Sequence, residues 1–542
     1  MQLCSKLGLN ESKNLTDPHI ILAAHAKWGS ECADKLEGDF SFIIYDRNAR
    51  SIFCARDSIG ATPFFYYCDN ELFVFSTTAA VFPKIENIHA PISETWLARY
   101  FVNVSQDQVK TAYENVLKLP AAHHLTISPD EQTQPLRYFE FQDRAPFETK
   151  RNDKWVALYR SMFDQVVADR LRSAYLIGAE SSGGIDSSTI IASAVPQLPH
   201  SLDQFHLFGL SHLEQEPEYI LETSIQCGIE HNHIYTNPSY YRSTEVIQRG
   251  IRTLGYPAEN GLTTLYHRFF EQAQLQDIRT LLSGFGGDEI VTSKGELFYD
   301  ELYAGRAYKT MFNELPGGLL MRIARLSKNI YKNKLMKPGS ASQPTTQWQR
   351  ILGFTTPEAL SAFGLTERAA QRPSHVAAPN MNALALTHLT HHRFGGEMTT
   401  RLESFALMAH SYRVSYRWPM LDRRLIQQFL DTPTIEKRRR SMGRYLHRRA
   451  FDGEVPTKVL WKQNKSLGIF TSMDRQEPYS VELLLENLPP QLDFVSKSQL
   501  QELDRKIRNQ RSGRSKISPA ELSAGHSILK NLKELRIFIE SQ

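Results

Sequence analysis

Ser182-Gly183-Gly184-Ile185-Asp186-Ser187-Ser188 is the stretch on which the reading of this 542-residue chain turns. It follows an apolar, strand-like run, Ala174-Tyr175-Leu176-Ile177-Gly178-Ala179, and opens into the helix-forming sequence TIIASAV. A glycine turn between a strand and a helix is an anion cradle. The glycines let the backbone come close, the first N–H groups of the helix point outward, and the helix dipole favours negative charge. The lysine of the ordinary G-x-x-x-x-G-K-[ST] loop is missing. Asp186 stands in the loop instead, and it repels phosphate unless a metal intervenes. Asp186 is therefore read as a Mg²⁺ ligand, with the metal bridging to phosphates. The competing reading is a glycine turn closed by a Ser or Asp helix cap.

A second glycine-rich turn, Ser283-Gly284-Phe285-Gly286-Gly287-Asp288-Glu289, ends another apolar run, Thr280-Leu281-Leu282. Between the two turns, Gln204–Leu210 and His231–Thr236 read as further strands with a helix between them. A helix over Trp155–Arg172 precedes the first strand. Strands alternating with helices predict a parallel, doubly wound sheet, whose loops at the carboxyl edge bind ligands. Asp288 is then placed to share the metal with Asp186. Upstream the texture differs. Phe40–Asp46, Ser51–Asp57 and Glu71–Thr77 are short β-prone runs broken at Asp46-Arg47-Asn48, Gly60 and Pro63, as in an antiparallel, mostly β domain. The fold class is α/β, with one domain over residues 1–145 and a second, carrying helical additions, over residues 150–542. Asn333–Gln347 reads as a loop or flexible insertion.

Composition adds bounds. The chain is 41% hydrophobic and 23% charged, ordinary for a globular protein with a large core. A net charge of +4 gives no sign of a nucleic-acid or membrane partner. No apolar run approaches the ~20 residues of a bilayer span, and the first residues carry no secretory signal, which points to the cytoplasm. The five cysteines are scattered with no C-x-x-C pair, against a zinc ribbon or a disulfide scaffold. There is no internal repeat.

These motifs resemble those of the asparagine synthetase family, within the ATP pyrophosphatase (PP-loop) enzymes. SSGGIDSS is similar to its pyrophosphate loop and LLSGFGGDE to its second loop, commonly S-G-E-G-x-D-E. Arg417–Leu430 (RWPMLDRRLIQQFL) resembles its V-P-F-L-D segment, and Gly443–Ala450 and Glu454–Lys465 resemble the segments that follow. GDFSFIIYDRNARSIFCARDSIGATPFFYY resembles the family's amidotransferase half, an α+β β-sandwich of the Ntn type. The resemblance implies ATP and Mg²⁺. A carboxylate attacks the α-phosphate, pyrophosphate leaves, and an amine displaces AMP to form an amide. By position it implies Ser182, Gly183, Gly184, Asp186 and Ser187 on pyrophosphate and metal, Asp288 on metal, and Phe208, Ser283 and Gly284 near the nucleotide. Lys465, or less fittingly Lys462, falls one residue off a lysine that stabilises adenylation; the alternative is a solvated loop lysine.

Two departures bear on function. The family's glutaminase uses a cysteine as the first residue after Met, but residue 2 is Gln and the nearest thiol is Cys4. Thr16–Gly29 resembles a segment that lies well inside that domain, so the amidotransferase half reads as truncated, with Asp17 a partial match to a glutamine-site Asp; a late start is the alternative. Phe285 also replaces a Glu that many asparagine synthetases carry beside the reacting centre, giving a more apolar pocket. Relatives that join a carboxylate and an amine of one substrate, the β-lactam and lasso-peptide macrolactam synthetases, share the missing cysteine. The leading expectation is a macrolactam synthetase acting on a precursor peptide alongside a leader-peptide protease, with a small-molecule or peptide carboxylate as substrate. The alternatives are asparagine synthetase and a silent scaffold. Glu403 is a candidate base for the amine, weighed against an ordinary exposed helix glutamate. The basic segment Glu436–Ala450 carries Arg438, Arg439, Arg440, Arg444, Arg448 and Arg449; it could bind pyrophosphate or an acidic peptide, but most of it reads as a solvated helix face. His391-His392 has no spaced acidic partners for a metal.

Overall fold

The computed structural model describes residues 2–9, 15–128, 134–210, 216–235, 244–259, 267–335, 346–370, 380–390, 394–462, 480–512 and 517–542. The strands are β1 Ser41–Asp46, β2 Ser51–Arg56, β3 Phe65–Cys68, β4 Phe73–Ser76, β5 Val116–Lys118, β6 His123–Ile127 and β7 Leu136–Arg137 in the first part of the chain. They continue with β8 Leu176–Glu180, β9 His206–Leu210, β10 His231–Tyr235, β11 Ile278–Leu282 and β12 Ser415–Arg417. The first seven form two antiparallel sheets, ordered β1-β2-β6-β7 and β4-β3-β5. The last five form one parallel sheet, β10-β9-β8-β11-β12.

The parallel sheet is apolar on both faces because helices cover both. Ile177, Ala179, Leu207, Phe208, Leu281 and Leu282 are all buried. The chain leaves β8 to build β9 and β10 on one side, then returns to build β11 and β12 on the other. The loops after β8 and β11 are therefore neighbours at the point where strand order reverses, where α/β sheets take their ligands. The helix before β8 spans Asp153–Arg170 and is capped by Asn152, whose side chain accepts from the Lys154 N–H. Of the expected insertion, Asn333, Lys334 and Leu335 end the helix Leu319–Leu335 and Thr346 opens the next; residues 336–345 lie outside the described residues. No helix among the described residues is long and apolar enough to cross a membrane.

The two parts of the chain share a buried ion cluster, and it corrects the expectation for Glu403. That residue lies on the helix Phe394–Ser411, but it is buried and faces the antiparallel sheets rather than the nucleotide loops. Arg56 of β2 approaches it at 2.8 Å and Lys118 of β5 at 3.0 Å. Lys118 also reaches Glu259 at 3.7 Å, and the Trp96 indole N–H donates to Glu259 at 3.1 Å. Arg56 further donates to the carbonyls of Gly60, Thr62 and Leu119. Two cations and two anions cancel, which is how such charges survive without water. Burial alone would lower the Lys118 pKa, but the neighbouring Glu403, Tyr256 and Glu259 hold it above the ordinary range. With both oxygens held by cations, Glu403 is a strut between the domains and not a base. The C-terminal helix Pro519–Glu540 also crosses to the first domain. Asn531 donates to the carbonyls of Tyr100 and Phe101, and the Tyr100 hydroxyl donates to Glu534.

Removing one member of a buried ion group strands its partners. Glu403→Ala should lower unfolding free energy by about 3–5 kcal/mol, measured by denaturant titration. A glutamate acting as a base would leave stability unchanged and abolish only turnover.

On the β9–β10 edge, His206, His231 and His233 stack, with His206 and His231 centroids 4.4 Å apart and the Phe208 ring against His233 at 4.9 Å. Burial, then the neighbouring His231 and His233, lowers the His206 pKa to about 4 from 6.5. Burial and Arg249 do the same to His267. A depressed histidine is protonated first in the unfolded chain. Stability is therefore complete above about pH 6.5 and falls as the pH drops toward 4. His206→Asn should flatten that fall in unfolding midpoints read across this range, and an unchanged slope would remove His206 from the account.

Candidate active site

The cradle is built as its residue types require. Gly183 has φ +65°, a conformation that costs a side-chain-bearing residue roughly 1–2 kcal/mol. Gly184 caps the helix Ile185–Ala194, which places Asp186 in the first turn. The Ser187 hydroxyl folds back to accept from the Ser182 N–H at 3.1 Å and lies 3.2 Å from the Ser182 hydroxyl. The Ser181 N–H donates to the Phe208 carbonyl at 2.8 Å, which ties the loop to β9. Phe208, expected near the nucleotide, meets the loop through its backbone, while its ring is buried against His233.

The second loop touches the first. A Cβ on Gly284 would stand 2.8 Å from the Ser187 nitrogen, and one on Gly287 would stand 2.5 Å from the Asp186 carboxyl carbon. Only glycine permits either approach. The Ser283 hydroxyl and the Tyr416 hydroxyl each donate to Glu180 at 2.6 Å, fixing the loop between β8 and β12. The Ser283 N–H donates to the Arg417 carbonyl of β12. After Gly286, at φ +98°, the chain enters a short helical turn, Gly287–Val291, that carries Asp288.

The two acidic residues converge on one guanidinium. Arg444 Nη1 lies 3.2 Å from Asp186 Oδ2, and its Nη2 contacts Asp288 Oδ1. Thr292 donates its hydroxyl to the other Asp186 oxygen at 2.7 Å. Two carboxylates gathered around one positive charge form a hard-oxygen donor set suited to Mg²⁺, which keeps waters and phosphate oxygens as its remaining ligands. Among the described residues there is no group of three or more His, Cys, Asp or Glu that could hold a metal, and this pair is smaller than that.

Arg444 was legible only as part of a basic run, and that run is the expected solvated face only in part: Arg439 and Arg440 are exposed, and the others are engaged. Arg448 donates to the carbonyls of Gly443, Leu460 and Lys462, Arg449 to Glu436 and Asp153, and Arg438 to the carbonyls of Lys294 and Gly295. Arg444 caps the helix Tyr445–Ala450 in the left-handed region at φ 57°. A cation at a helix N-terminus opposes the dipole. That misplaced charge, just after Gly443, was the available signal that anions lie opposite. Gly443 is needed as well, because a Cβ there would meet the Lys294 carbonyl oxygen at 2.4 Å. His447 pins the same helix between the Tyr159 hydroxyl at 2.8 Å and the Thr189 hydroxyl at 3.0 Å.

Phe285 is half-buried at the top of the second loop. The Arg401 guanidinium stacks on its ring with 3.8 Å to the centroid, a contact not legible in the amino-acid order. Lys465 and His391-His392 lie outside the described residues, while Lys462 rests its ammonium over the Tyr219 ring at 4.0 Å. Asp17 stands exposed in the first turn of the surface helix Asp17–Trp28.

Comparison with known proteins now has a site to explain. The family profile for asparagine synthase matches residues 158–524, well over half of the chain. The chain belongs to the asparagine synthase family. A glutamine amidotransferase domain profile matches residues 5–139. A Methanocaldococcus jannaschii protein provisionally named asparagine synthetase [glutamine-hydrolyzing] 2 is 28% identical over 299 residues, 54% of this chain and 56% of that protein. Asparagine synthetase [glutamine-hydrolyzing] 1 of Bacillus subtilis is 25% identical over 470 residues, 84% of this chain and 71% of that enzyme. Asparagine synthetase 3 of the same organism is 29% identical over 186 residues, 34% of this chain and 30% of that enzyme. The match thus spans about half or less of two of these three relatives.

Gly287→Ala should displace Asp186, since the added methyl group would collide with its carboxylate. Magnesium–ATP affinity measured by calorimetry should fall by about tenfold or more with the fold retained. Unaltered affinity would show that the contact is dispensable.

Proposed function

We propose that this chain is a cytoplasmic, AMP-forming carbon–nitrogen ligase that adenylates a carboxylate and joins it to an amine carried by the same peptide-like substrate. The concrete form of the proposal is macrolactam closure on a lasso-type precursor peptide, after a protease has freed its N-terminus. The observation that carries the ligase chemistry is the convergence of Asp186 and Asp288 on one positive charge beside the Ser182–Ser187 cradle. A carboxylate oxygen bonds to the α-phosphorus of ATP as the bond to the β-phosphate oxygen breaks. The amine then bonds to the acyl carbon, AMP leaves with the carboxylate oxygen, and the amine loses a proton. The loop N–H groups and the N-terminus of the Ile185–Ala194 helix receive the charge that gathers on pyrophosphate. Asp186 and Asp288 would hold Mg²⁺, which would neutralise further charge on that leaving group.

Two observations support an amine that is not glutamine-derived ammonia. Four of the five cysteine thiols are held above their ordinary range. Burial raises Cys32 to about 11 and Cys54 to about 12, raises Cys68 too, and, helped by Glu454, raises Cys227 to about 11. The thiolate is the reactive form. The second observation is the positive charge of Arg401 stacked on Phe285, which disfavours an ammonium ion there. Asparagine formation is the second reading, favoured by the names of the relatives.

Purified protein with ATP, Mg²⁺ and a peptide bearing a free N-terminal amine and an internal Asp or Glu should release pyrophosphate and yield a product lighter by one water. Asp186→Asn and Asp288→Asn should each lower the pyrophosphate rate by about 10²-fold or more. Faster conversion of aspartate and ammonia to asparagine would replace the macrolactam reading. Full turnover in both variants would end the ligase assignment.

A further inference from the structure

Arg444 occupies the position between Asp186 and Asp288 with one nitrogen turned to each. Its backbone has little freedom. The Arg444 N–H donates to the Ser293 carbonyl at 3.2 Å, Gly443 is wedged on Lys294, and the helix that follows is held by His447. The side chain, with its rotatable stem, is the part that can move. Two carboxylates that meet at one guanidinium repel each other, and the cation between them relieves that repulsion. Nearby Arg448 cannot substitute, being committed to the carbonyls of Gly443, Leu460 and Lys462.

We propose that Arg444 is a resident counter-ion of the acidic pair, one that releases Asp186 and Asp288 only when a divalent cation arrives with a nucleotide, and then pairs with the pyrophosphate oxygens. The proposal rests on the reading of Asp186 and Asp288 as metal ligands. A bare divalent cation has to displace the guanidinium and leave it without an anion. A phosphate-bound cation brings oxygens that accept the same two N–H groups, in the paired geometry that guanidinium favours. Metal and nucleotide therefore load together, and the site stays closed to free metal. Thr292 keeps its hydrogen bond to Asp186 throughout, so the carboxylate does not swing away when Arg444 leaves.

The test is a Mg²⁺ titration of the full chain by calorimetry and thermal shift, without nucleotide. The wild type should bind weakly. Arg444→Met should bind about tenfold tighter or more, the factor by which a mostly occupied site lowers apparent affinity. Adding Asp288→Asn to Arg444→Met should erase the gain, and Arg444→Met should weaken Mg²⁺–ATP binding. If Arg444→Met does not fold, Arg444→Lys, which cannot span both carboxylates, should show a smaller gain in the same direction. A folded Arg444→Met that binds Mg²⁺ no tighter overturns the proposal. If Asp186→Asn and Asp288→Asn still weaken Mg²⁺–ATP binding in that case, the counter-ion idea alone has failed. If they do not, the metal reading fails with it.

Discussion

Gly284 lies against the backbone nitrogen of Ser187, and Gly287 against the carboxylate of Asp186, so the loops after β8 and β11 touch where any larger residue would hold them apart. This contact is the constraint on which the site depends. Parallel strands stand roughly 4.8 Å apart, and their loops ordinarily diverge as they leave the sheet. Here the glycines remove the side chains from the gap, and Asp288 is carried over the first loop to face Asp186. The anionic pair then dictates what comes next. It needs a cation, and Gly443 allows the chain to bring one in from the Tyr445–Ala450 helix. Strand order, glycine placement and charge balance are thus successive consequences of bringing two backbones together.

The antiparallel domain enters this arrangement through charge. Arg56 spends three of its donors on carbonyls of its own domain and one on Glu403, while Lys118 spans Glu403 and Glu259. Glu403 and Arg401 lie on opposite faces of the Phe394–Ser411 helix. That helix therefore has one face locked to the antiparallel sheets and the other against Phe285 of the second loop. The antiparallel domain thus has a physical role, because it anchors the helix whose Arg401 packs on the second loop. Whether it performs chemistry is separate from that support.

The strand–glycine–helix contexts of Ser182–Ser188 and Ser283–Glu289 were legible in the sequence because a Gly-rich turn after an apolar run has few structural meanings. The four main parallel strands follow from the same alternation of apolar runs and helices. β12 escaped, since three residues, Ser415–Arg417, carry no period and make sense only beside β11. Glu403 was misread for a related reason. Its helix was evident, but which face is buried depends on Arg56 and Lys118, which lie hundreds of positions away. Arg444 shows the same limit from the other side. A run of arginines looks like a wet surface until the carbonyls and carboxylates that absorb Arg438, Arg444, Arg448 and Arg449 are seen.

The acceptor amine is where these constraints meet. An amine attacks only when neutral, and a positive group nearby favours that form by penalising the ammonium ion. Arg401, held flat on Phe285 at 3.8 Å, supplies such a charge at the lip of the second loop. Free ammonia would need capture by an acceptor or an anion, and Phe285 offers neither. A tethered amine needs no capture, because its own substrate holds it near the acyl carbon and provides the effective concentration. On the proposed reading, the apolar ring and the stacked cation hinder a free ammonium ion and leave a delivered neutral amine unimpeded. That asymmetry follows from two side chains, Arg401 and Phe285, at one loop.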